Sequence, residues 1–283
     1  MNNPIVVSTA AYDGYDFEVS LNEIAAIGVK YVEIAFIEGY TDPFTEDYFV
    51  PASADRILKL LAANKLECLS FSSHMDMSVE AAVERFKGRL QFAKWLGASY
   101  INTSAGPLAN KNQFMQNIKE VEVLARELGI IIGLENPGDG KPNIIDSGKS
   151  CAAVIEEIDL EMVRINYDFG NLVSHCFESV NPEKDYELAL AKTAHFHIKD
   201  VDRNNLGQWY FPAIGRGMID YKKILPALAS LPEPIPLSLE LPLRLRRATD
   251  ASPIRDANPV DLRTINQIVT ESVRFVKKTL KSG

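Results

Sequence analysis

Four side chains that can bind a metal ion stand at widely separated points of the sequence. They are Glu135 in GLEN, Asp168 in NYDFGN, His197 in HFHIKD and Glu240 in LSLELP. Three carboxylates and one imidazole form a set of mostly oxygen donors, which suits Mn²⁺, Mg²⁺ or Co²⁺ and also accepts Zn²⁺. Taken singly, each residue also fits an ordinary ion pair or a helix cap. Their shared feature is that each one ends, or nearly ends, a short β-rich run.

Such β-rich runs occur eight times along the chain. We predict strands at 5–8, 31–35, 67–72, 100–103, 130–134, 163–166, 194–198 and 236–239. Their starts are about 26 to 42 residues apart, which is enough for one strand and one helix in each unit. Strands that alternate with helices imply a parallel sheet.

Between the predicted strands, apolar residues recur every three or four positions, as in amphipathic helices. Segments 79–98, 112–129 and 260–280 show this pattern. Glycines 28, 97 and 129 stand where helices should end, because glycine readily adopts the left-handed conformation that closes a helix. The stretch 243–259 is predicted to be irregular and to form a candidate lid after the last strand.

Eight such units predict an α/β fold, a single (β/α)₈ TIM barrel over residues 1–283 as one domain. An open doubly wound sheet is the alternative, but no strand is followed by the G-x-G-x-x-G of a dinucleotide site. In a parallel barrel the carboxyl ends of the strands surround one mouth. Four charged side chains there would repel and lose hydration unless a cation compensated them. We therefore predict one divalent metal ion on Glu135, Asp168, His197 and Glu240.

The motifs around these residues are similar to those of a known family. They are LEN at Glu135, D-x-G from Asp168, H-x-H followed by KD at His197, G-x-G-x-I-D-Y at 215–221 and LE at Glu240. In this order and spacing they resemble the xylose-isomerase-like barrels. That family includes sugar isomerases and epimerases of the tagatose 3-epimerase and hydroxypyruvate isomerase type. The resemblance covers nearly the whole chain.

The resemblance implies a metal-dependent isomerase or epimerase of a small sugar or hydroxy-carbonyl compound. In such enzymes the metal binds two neighbouring substrate oxygens and polarises a carbonyl, so that the adjacent C–H becomes acidic. Glu135 and Glu240 would bind the metal and also transfer protons as general acid and base, whereas Asp168 and His197 would be ligands only. The chain departs from many epimerases at Asn171, where they carry His. Substrate and reaction type therefore stay open.

Six further side chains are predicted to contact the substrate, each with a structural alternative. They are Glu33, His74, Asn171, His195, Lys199 and Arg203. His195 and Lys199 share the inward side of their strand with His197, because residues two apart point the same way. Glu33 lies within an apolar strand and, if buried, needs a partner, which either substrate or a salt bridge supplies. Arg203 stands where the resemblance places a substrate-contacting arginine.

The composition of the chain limits the kinds of molecule that it is expected to bind. The formal net charge of −8 opposes nonspecific binding to a phosphate backbone, so we expect no nucleic acid. No apolar run approaches the ~20 residues that cross a bilayer, and the first residues do not resemble a signal peptide. We therefore predict no membrane association and a cytoplasmic location. The aromatic run 209–211 is predicted either to cover the substrate or to join two copies in a homo-oligomer.

Three other functions fit parts of the sequence. A dehydratase of the inosose or dehydroshikimate type, a lyase, would use the same metal and the same acidified C–H but expel a β-hydroxyl. The endonuclease branch of the family binds three zinc ions with numerous histidines, whereas this chain has four histidines. A carbohydrate-binding module has little need for two proton-exchanging carboxylates. The isomerase or epimerase is the leading hypothesis, and the dehydratase is the alternative.

Overall fold

Twelve strands and nine α-helices form in the computed structural model, which describes residues 3–281. The strands are β1 (Ile5–Ser8), β2 (Tyr31–Ala35), β3 (Glu67–Asp76), β4 (Tyr100–Ser104), β5 (Ile131–Glu135), β6 (Val163–Asp168), β7 (Thr193–Ile198), β8 (Asp202–Arg203), β9 (Trp209–Tyr210), β10 (Leu237–Leu239), β11 (Leu245–Arg247) and β12 (Pro253–Arg255). The helices are α1 (Phe17–Ala26), α2 (Pro51–Ala63), α3 (Ala82–Leu96), α4 (Lys111–Leu128), α5 (Gly148–Ile158), α6 (Phe169–His175), α7 (Pro182–Ala189), α8 (Tyr221–Ala229) and α9 (Leu262–Leu280).

Strands β1 to β7 and β10 close into a barrel in which every neighbouring pair is parallel. Each of the eight predicted strands is present, so the predicted (β/α)₈ barrel is confirmed. The largest difference is at β3, which continues to Asp76 instead of ending at residue 72. The single domain over 1–283 stays a prediction, and its residues 1–2 and 282–283 lie outside the described residues.

The predicted helices also form, with ends close to those expected. Segments 79–98 and 112–129 correspond to α3 and α4, and 260–280 corresponds to α9. Gly97 and Gly129 close α3 and α4 with φ values of 78° and 69°. These are left-handed conformations that glycine adopts without steric cost. Each glycine thereby ends its helix shortly before the next barrel strand begins.

Alternation along β7 separates the functional face from the packing face. Phe196 is buried and stacks on Phe169 of α6 with ring centroids 5.5 Å apart, so it points outward to the helices. The flanking His195 and His197 therefore point into the barrel, as residues two apart in a strand must. This arrangement places imidazoles inside the barrel, whereas apolar side chains join the strands to the helices.

The stretch 243–259 is not the irregular loop that its composition predicts. Its β11 and β12 pair antiparallel and join β9 and β8 in a four-stranded sheet. The prediction was wrong because strands of three residues are too short to show an alternating pattern, and β11 pairs with the distant β9. Leu245 and Arg247 of this hairpin line the cavity at the barrel mouth.

Among the helices of residues 3–281, none is both long enough and apolar enough to cross a bilayer.

Candidate metal centre

The barrel strands bring the four predicted ligands to one place. Glu135 and Asp168 are the last residues of β5 and β6, His197 is next to last in β7, and Glu240 directly follows β10. The register pairs Asp168 with His197 across β6 and β7, and Ser238 with His197 across β10 and β7. One ligand atom from each of the four side chains lies within 4.8 Å of the others, and all four residues are buried.

The donor atoms of this cluster fit a divalent cation. His197 Nδ1 and Glu240 Oε1 are buried and have no hydrogen-bond partner, whereas Asp168 Oδ2 lies 2.8 Å from the Lys199 ammonium. Buried polar atoms are normally paired, because leaving one unpaired costs the hydration that it has lost. Here the two unpaired atoms belong to residues that face one another. A cation bound between the side chains would satisfy both atoms, and three carboxylates with one imidazole suit Mn²⁺, Mg²⁺, Co²⁺ or Zn²⁺.

His197 is oriented by a carboxylate on its other side. Its Nδ1 lies 3.3 Å from Glu135 Oε1 and 3.5 Å from Glu240 Oε2, whereas its Nε2 lies 3.2 Å from Glu33 Oε2. When the imidazole is neutral and carries its hydrogen on Nε2, that hydrogen is donated to Glu33 and the Nδ1 lone pair is left for a metal. Ser70 donates a further hydrogen bond of 2.8 Å to Glu33 and holds the carboxylate in place.

Glu33 and His195 lie beneath the cluster and do not line the cavity. Both side chains are 0% exposed. His195 Nδ1 lies 2.9 Å from Asn166 Oδ1. Burial alone would raise the pKa of Glu33, but His197 and His195 hold it well below its usual range. Glu33 therefore carries a charge that orients His197. The substrate contacts predicted for Glu33 and His195 stay predictions.

A cavity of about 370 Å³ opens above the cluster at the barrel mouth. Its lining includes Glu135 and Glu240, together with the predicted substrate contacts His74, Asn171 and Lys199. Arg203, in contrast, does not line it. Its guanidinium pairs with Glu178 at 2.8 Å and stacks over Trp209 at 3.9 Å. Arg203 belongs to β8, an edge strand of the four-stranded sheet, whereas Leu245 and Arg247 of β11 in the same sheet reach the cavity.

Lys199 neutralises part of the negative charge of the cluster. Its Nζ lies 2.8 Å from Asp168 Oδ2 and 2.7 Å from Glu240 Oε2. Burial alone would lower the pKa of Lys199, but the two carboxylates raise it above its usual range. The ammonium therefore stays charged beside the ligands and is still part of the cavity wall.

Glu135 carries a proton near neutral pH when no cation is present. Burial, with the charges of Glu240 and Asp168 adding to it and His197 opposing it, raises the pKa of Glu135 to about 8. His74 Nε2 lies 2.5 Å from Glu135 Oε2, and burial lowers the pKa of His74 to about 4. Both pKa shifts favour the neutral forms of the two groups near pH 7.

Two asparagines position the ligands, and only one of them was predicted as a site residue. Asn171 donates through Nδ2 to Glu135 Oε1 at 2.7 Å, and its backbone N–H donates to Asp168 Oδ1 at 2.8 Å. Asn136, the N of the LEN motif, exchanges two hydrogen bonds of 2.9 Å with the backbone of Asp168. The position of Asn136 directly after Glu135 was the only signal in the sequence for this role. Arg247 was also missed, because it lies in the hairpin that was predicted to be irregular.

A comparison with known proteins agrees with the fold. The model of the xylose isomerase-like TIM barrel family matches residues 21–274, so the chain belongs to this family and the resemblance is confirmed. No curated protein sequence matches the chain significantly.

Solved structures similar to this chain share its fold at low sequence identity. A D-psicose 3-epimerase from Clostridium cellulolyticum H10 is 14% identical, with a TM-score of 0.75 over 99% of each chain. A 3-keto-D-glucoside 4-epimerase from E. coli is 14% identical, with a TM-score of 0.71 over 98% of this chain and 99% of the other. A probable 3-DHS dehydratase from Bacillus anthracis is 15% identical, with a TM-score of 0.71 and the same coverage.

Metal affinity should rise with pH, because a cation has to displace the proton on Glu135. The folded, metal-free protein keeps this proton up to a pKa of about 8. Binding should therefore release at least one proton below that pH and strengthen by roughly tenfold per pH unit between about pH 6 and 7.5. Titration calorimetry with Co²⁺, in buffers of different ionisation enthalpy, measures both quantities. Affinity that does not change over this range would contradict the assignment of Glu135 as a ligand.

Glu33→Gln should weaken metal binding without removing a ligand. The amide keeps the shape of the side chain but no longer supplies a charge to orient His197, and such changes lower metal affinity about 10–100-fold. The matched control is Glu67→Gln on the neighbouring strand, an exposed residue paired with Lys30 at 3.0 Å, which should leave affinity unchanged. Equal affinity in Glu33→Gln and the unmodified protein would show that Glu33 does not orient His197.

Proposed function

We propose that the protein is a divalent-metal-dependent isomerase or epimerase of a small sugar or hydroxy-carbonyl compound. The observation that carries this proposal is the buried cluster of Glu135, Asp168, His197 and Glu240 at the floor of a small cavity. The cavity volume of about 370 Å³ suits a small molecule. The psicose and keto-glucoside epimerases among the similar structures support a sugar-like substrate.

Two glutamates of the cluster are the groups that would move protons. When bound, the cation supplies polarisation of a substrate carbonyl, which makes the neighbouring C–H acidic. Glu240 borders the cavity, so its carboxylate would take the proton from that carbon. Glu135 would return a proton to the other face of the substrate, or act first in the reverse direction. Asp168 and His197 would remain ligands throughout.

The remaining residues of the cavity wall would bind and orient the substrate. Lys199 is held between Asp168 and Glu240 and would donate a hydrogen bond to a substrate oxygen that becomes more negative during the reaction. His74 lies against Glu135 and would keep that carboxyl aimed at the substrate. Asn171 holds the other oxygen of Glu135 at 2.7 Å. A cytoplasmic location and assembly into a homo-oligomer stay predictions.

A dehydratase is the second candidate, and the position of Lys199 favours it. The ammonium lies beside Glu240 in the cavity wall, where it would donate a hydrogen bond to a leaving hydroxyl after Glu240 has removed the proton from the adjacent carbon. Asn171 stands where many epimerases have His, which weakens the argument for epimerisation in particular. The similar structure from Bacillus anthracis, described as a probable 3-DHS dehydratase, supports this second candidate.

Glu240→Gln should nearly abolish turnover while the fold is kept. An amide cannot accept the proton, and general acid–base groups contribute about 10²–10⁴-fold to rates. The assay is proton exchange from ²H₂O into a set of ketoses, aldoses and inososes at saturating Mn²⁺. A new conjugated ultraviolet absorbance during the assay would indicate the dehydratase instead of the isomerase.

The matched control for this variant is Glu271→Gln, on α9 and away from the cavity, whose carboxylate pairs with Arg216 at 2.6 Å. It should keep full activity. Full activity in Glu240→Gln at saturating metal would remove Glu240 from the mechanism.

A further inference from the structure

Arg247 is a buried cation that has only neutral partners. It belongs to β11, is 2% exposed and lines the cavity. Its guanidinium donates to Tyr40 Oη at 3.2 Å, to the Ala251 carbonyl oxygen at 3.5 Å and to Asn171 Oδ1 at 3.1 Å. Its Nε has no partner. Arginine therefore has N–H donors left over after these contacts.

The other arginines of the same hairpin are paired with carboxylates. Arg244 lies 3.0 Å from Asp42 Oδ1, Arg246 lies 3.3 Å from Asp256 Oδ1, and Arg255 lies 2.8 Å from Asp13 Oδ2. Within residues 3–281, no carboxylate forms an ion pair with Arg247. A buried charge without a counter-ion is costly, so an anion that enters the cavity gains the interaction that the protein itself does not provide.

We propose that Arg247 binds an anionic oxygen group of the substrate, either a carboxylate or a phosphate. This inference rests on the proposed function, because the rest of the same molecule has to reach the metal cluster. Asn171 sets the spacing between Arg247 and the metal cluster. Its Oδ1 accepts a hydrogen bond from Arg247, and its Nδ2 donates one to Glu135 Oε1 at 2.7 Å. The side-chain amide of Asn171 thus lies between the guanidinium of Arg247 and the carboxyl group of Glu135. An anion on Arg247 places the neighbouring carbons of the substrate beside Glu135.

The proposal narrows the substrate class. Hydroxy or keto acids and phosphorylated sugars carry the required group, whereas free ketoses, aldoses and inososes do not. Arginine suits this role because its planar guanidinium offers two parallel N–H groups to a carboxylate or phosphate. Close packing of Gly138 keeps the guanidinium in place, since a Cβ there would lie 2.6 Å from Arg247 Nη2.

The experiment compares three probes of similar carbon skeleton on the Mn²⁺-loaded protein: glycerate, glycerol 3-phosphate and glycerol. Calorimetry should show at least one of the two anions binding more tightly than glycerol. In Arg247→Gln, affinity for that anion should fall on the order of tenfold to a hundredfold, with glycerol and Mn²⁺ affinities unchanged. Binding of glycerate that depends on Arg247 would indicate a carboxylate substrate, and binding of glycerol 3-phosphate that depends on Arg247 would indicate a phosphate substrate.

The matched control is Arg246→Gln, the adjacent residue of β11, whose side chain is more exposed and paired with Asp256. It should bind all three probes as the unmodified protein does. Arg247→Lys keeps the charge but loses the planar fork, and its affinity for the anion should lie between those of the unmodified protein and Arg247→Gln. This variant also gives the comparison if Arg247→Gln does not fold.

Three results would overturn the proposal. In the first, the preference for the anion persists in Arg247→Gln, so that the metal alone selects it. In the second, affinities for all probes and for Mn²⁺ fall together, so that Arg247 only supports the fold. In the third, neither anion binds more tightly than glycerol. Failure of the proposed function is a separate observation: anion binding that depends on Arg247, without proton exchange or turnover of any anionic or neutral substrate.

Discussion

The site depends on the burial of four like-charged or metal-binding groups at one end of a closed barrel. Glu135, Asp168 and Glu240 surround His197 in a space where one atom of each lies within 4.8 Å of the others. Carboxylates so close together repel, and burial removes the water that would screen them. Lys199 supplies one positive charge, and the surrounding carboxylates raise the pKa of His197 well above its usual range, so that a proton on the imidazole supplies another when no cation is bound. A divalent cation would take the place of such protons, and for this reason the cluster is a candidate metal centre.

The residues around the ligands act mainly by orienting the ligand side chains, and less by changing the charge of the ligands. Glu33 orients His197 from below, Asn171 holds Glu135 from the side, and Asn136 joins the end of β5 to the end of β6. Each contact begins on a barrel strand or directly after one, so the closed sheet determines the distances between ligands. Precise ligand geometry is what binding a small cation requires.

Much of this arrangement is predictable from the sequence, because it follows from local patterns. The alternation around His197 and Phe196, and the charged residues at strand ends, define the barrel and the ligand set. How deep a side chain lies in the barrel cannot be predicted from the sequence around it. Whether Glu33 faces the cavity or lies beneath the ligands depends on how the strands stagger around the barrel. The hairpin that carries Arg247 forms through pairing with a distant segment, so three-residue strands leave no periodic signal. The exposed position of Arg203 was not predictable for the same reason, because its short strand β8 belongs to the same sheet.

The most direct test of this account is anomalous diffraction at the manganese edge from crystals of the protein grown with Mn²⁺. The account predicts one strong peak per chain, within about 2.4 Å of donor atoms from Glu135, Asp168, His197 and Glu240. Crystals that contain manganese elsewhere but show no peak between these four side chains would contradict it. So would side chains that point away from one another when the ion is present.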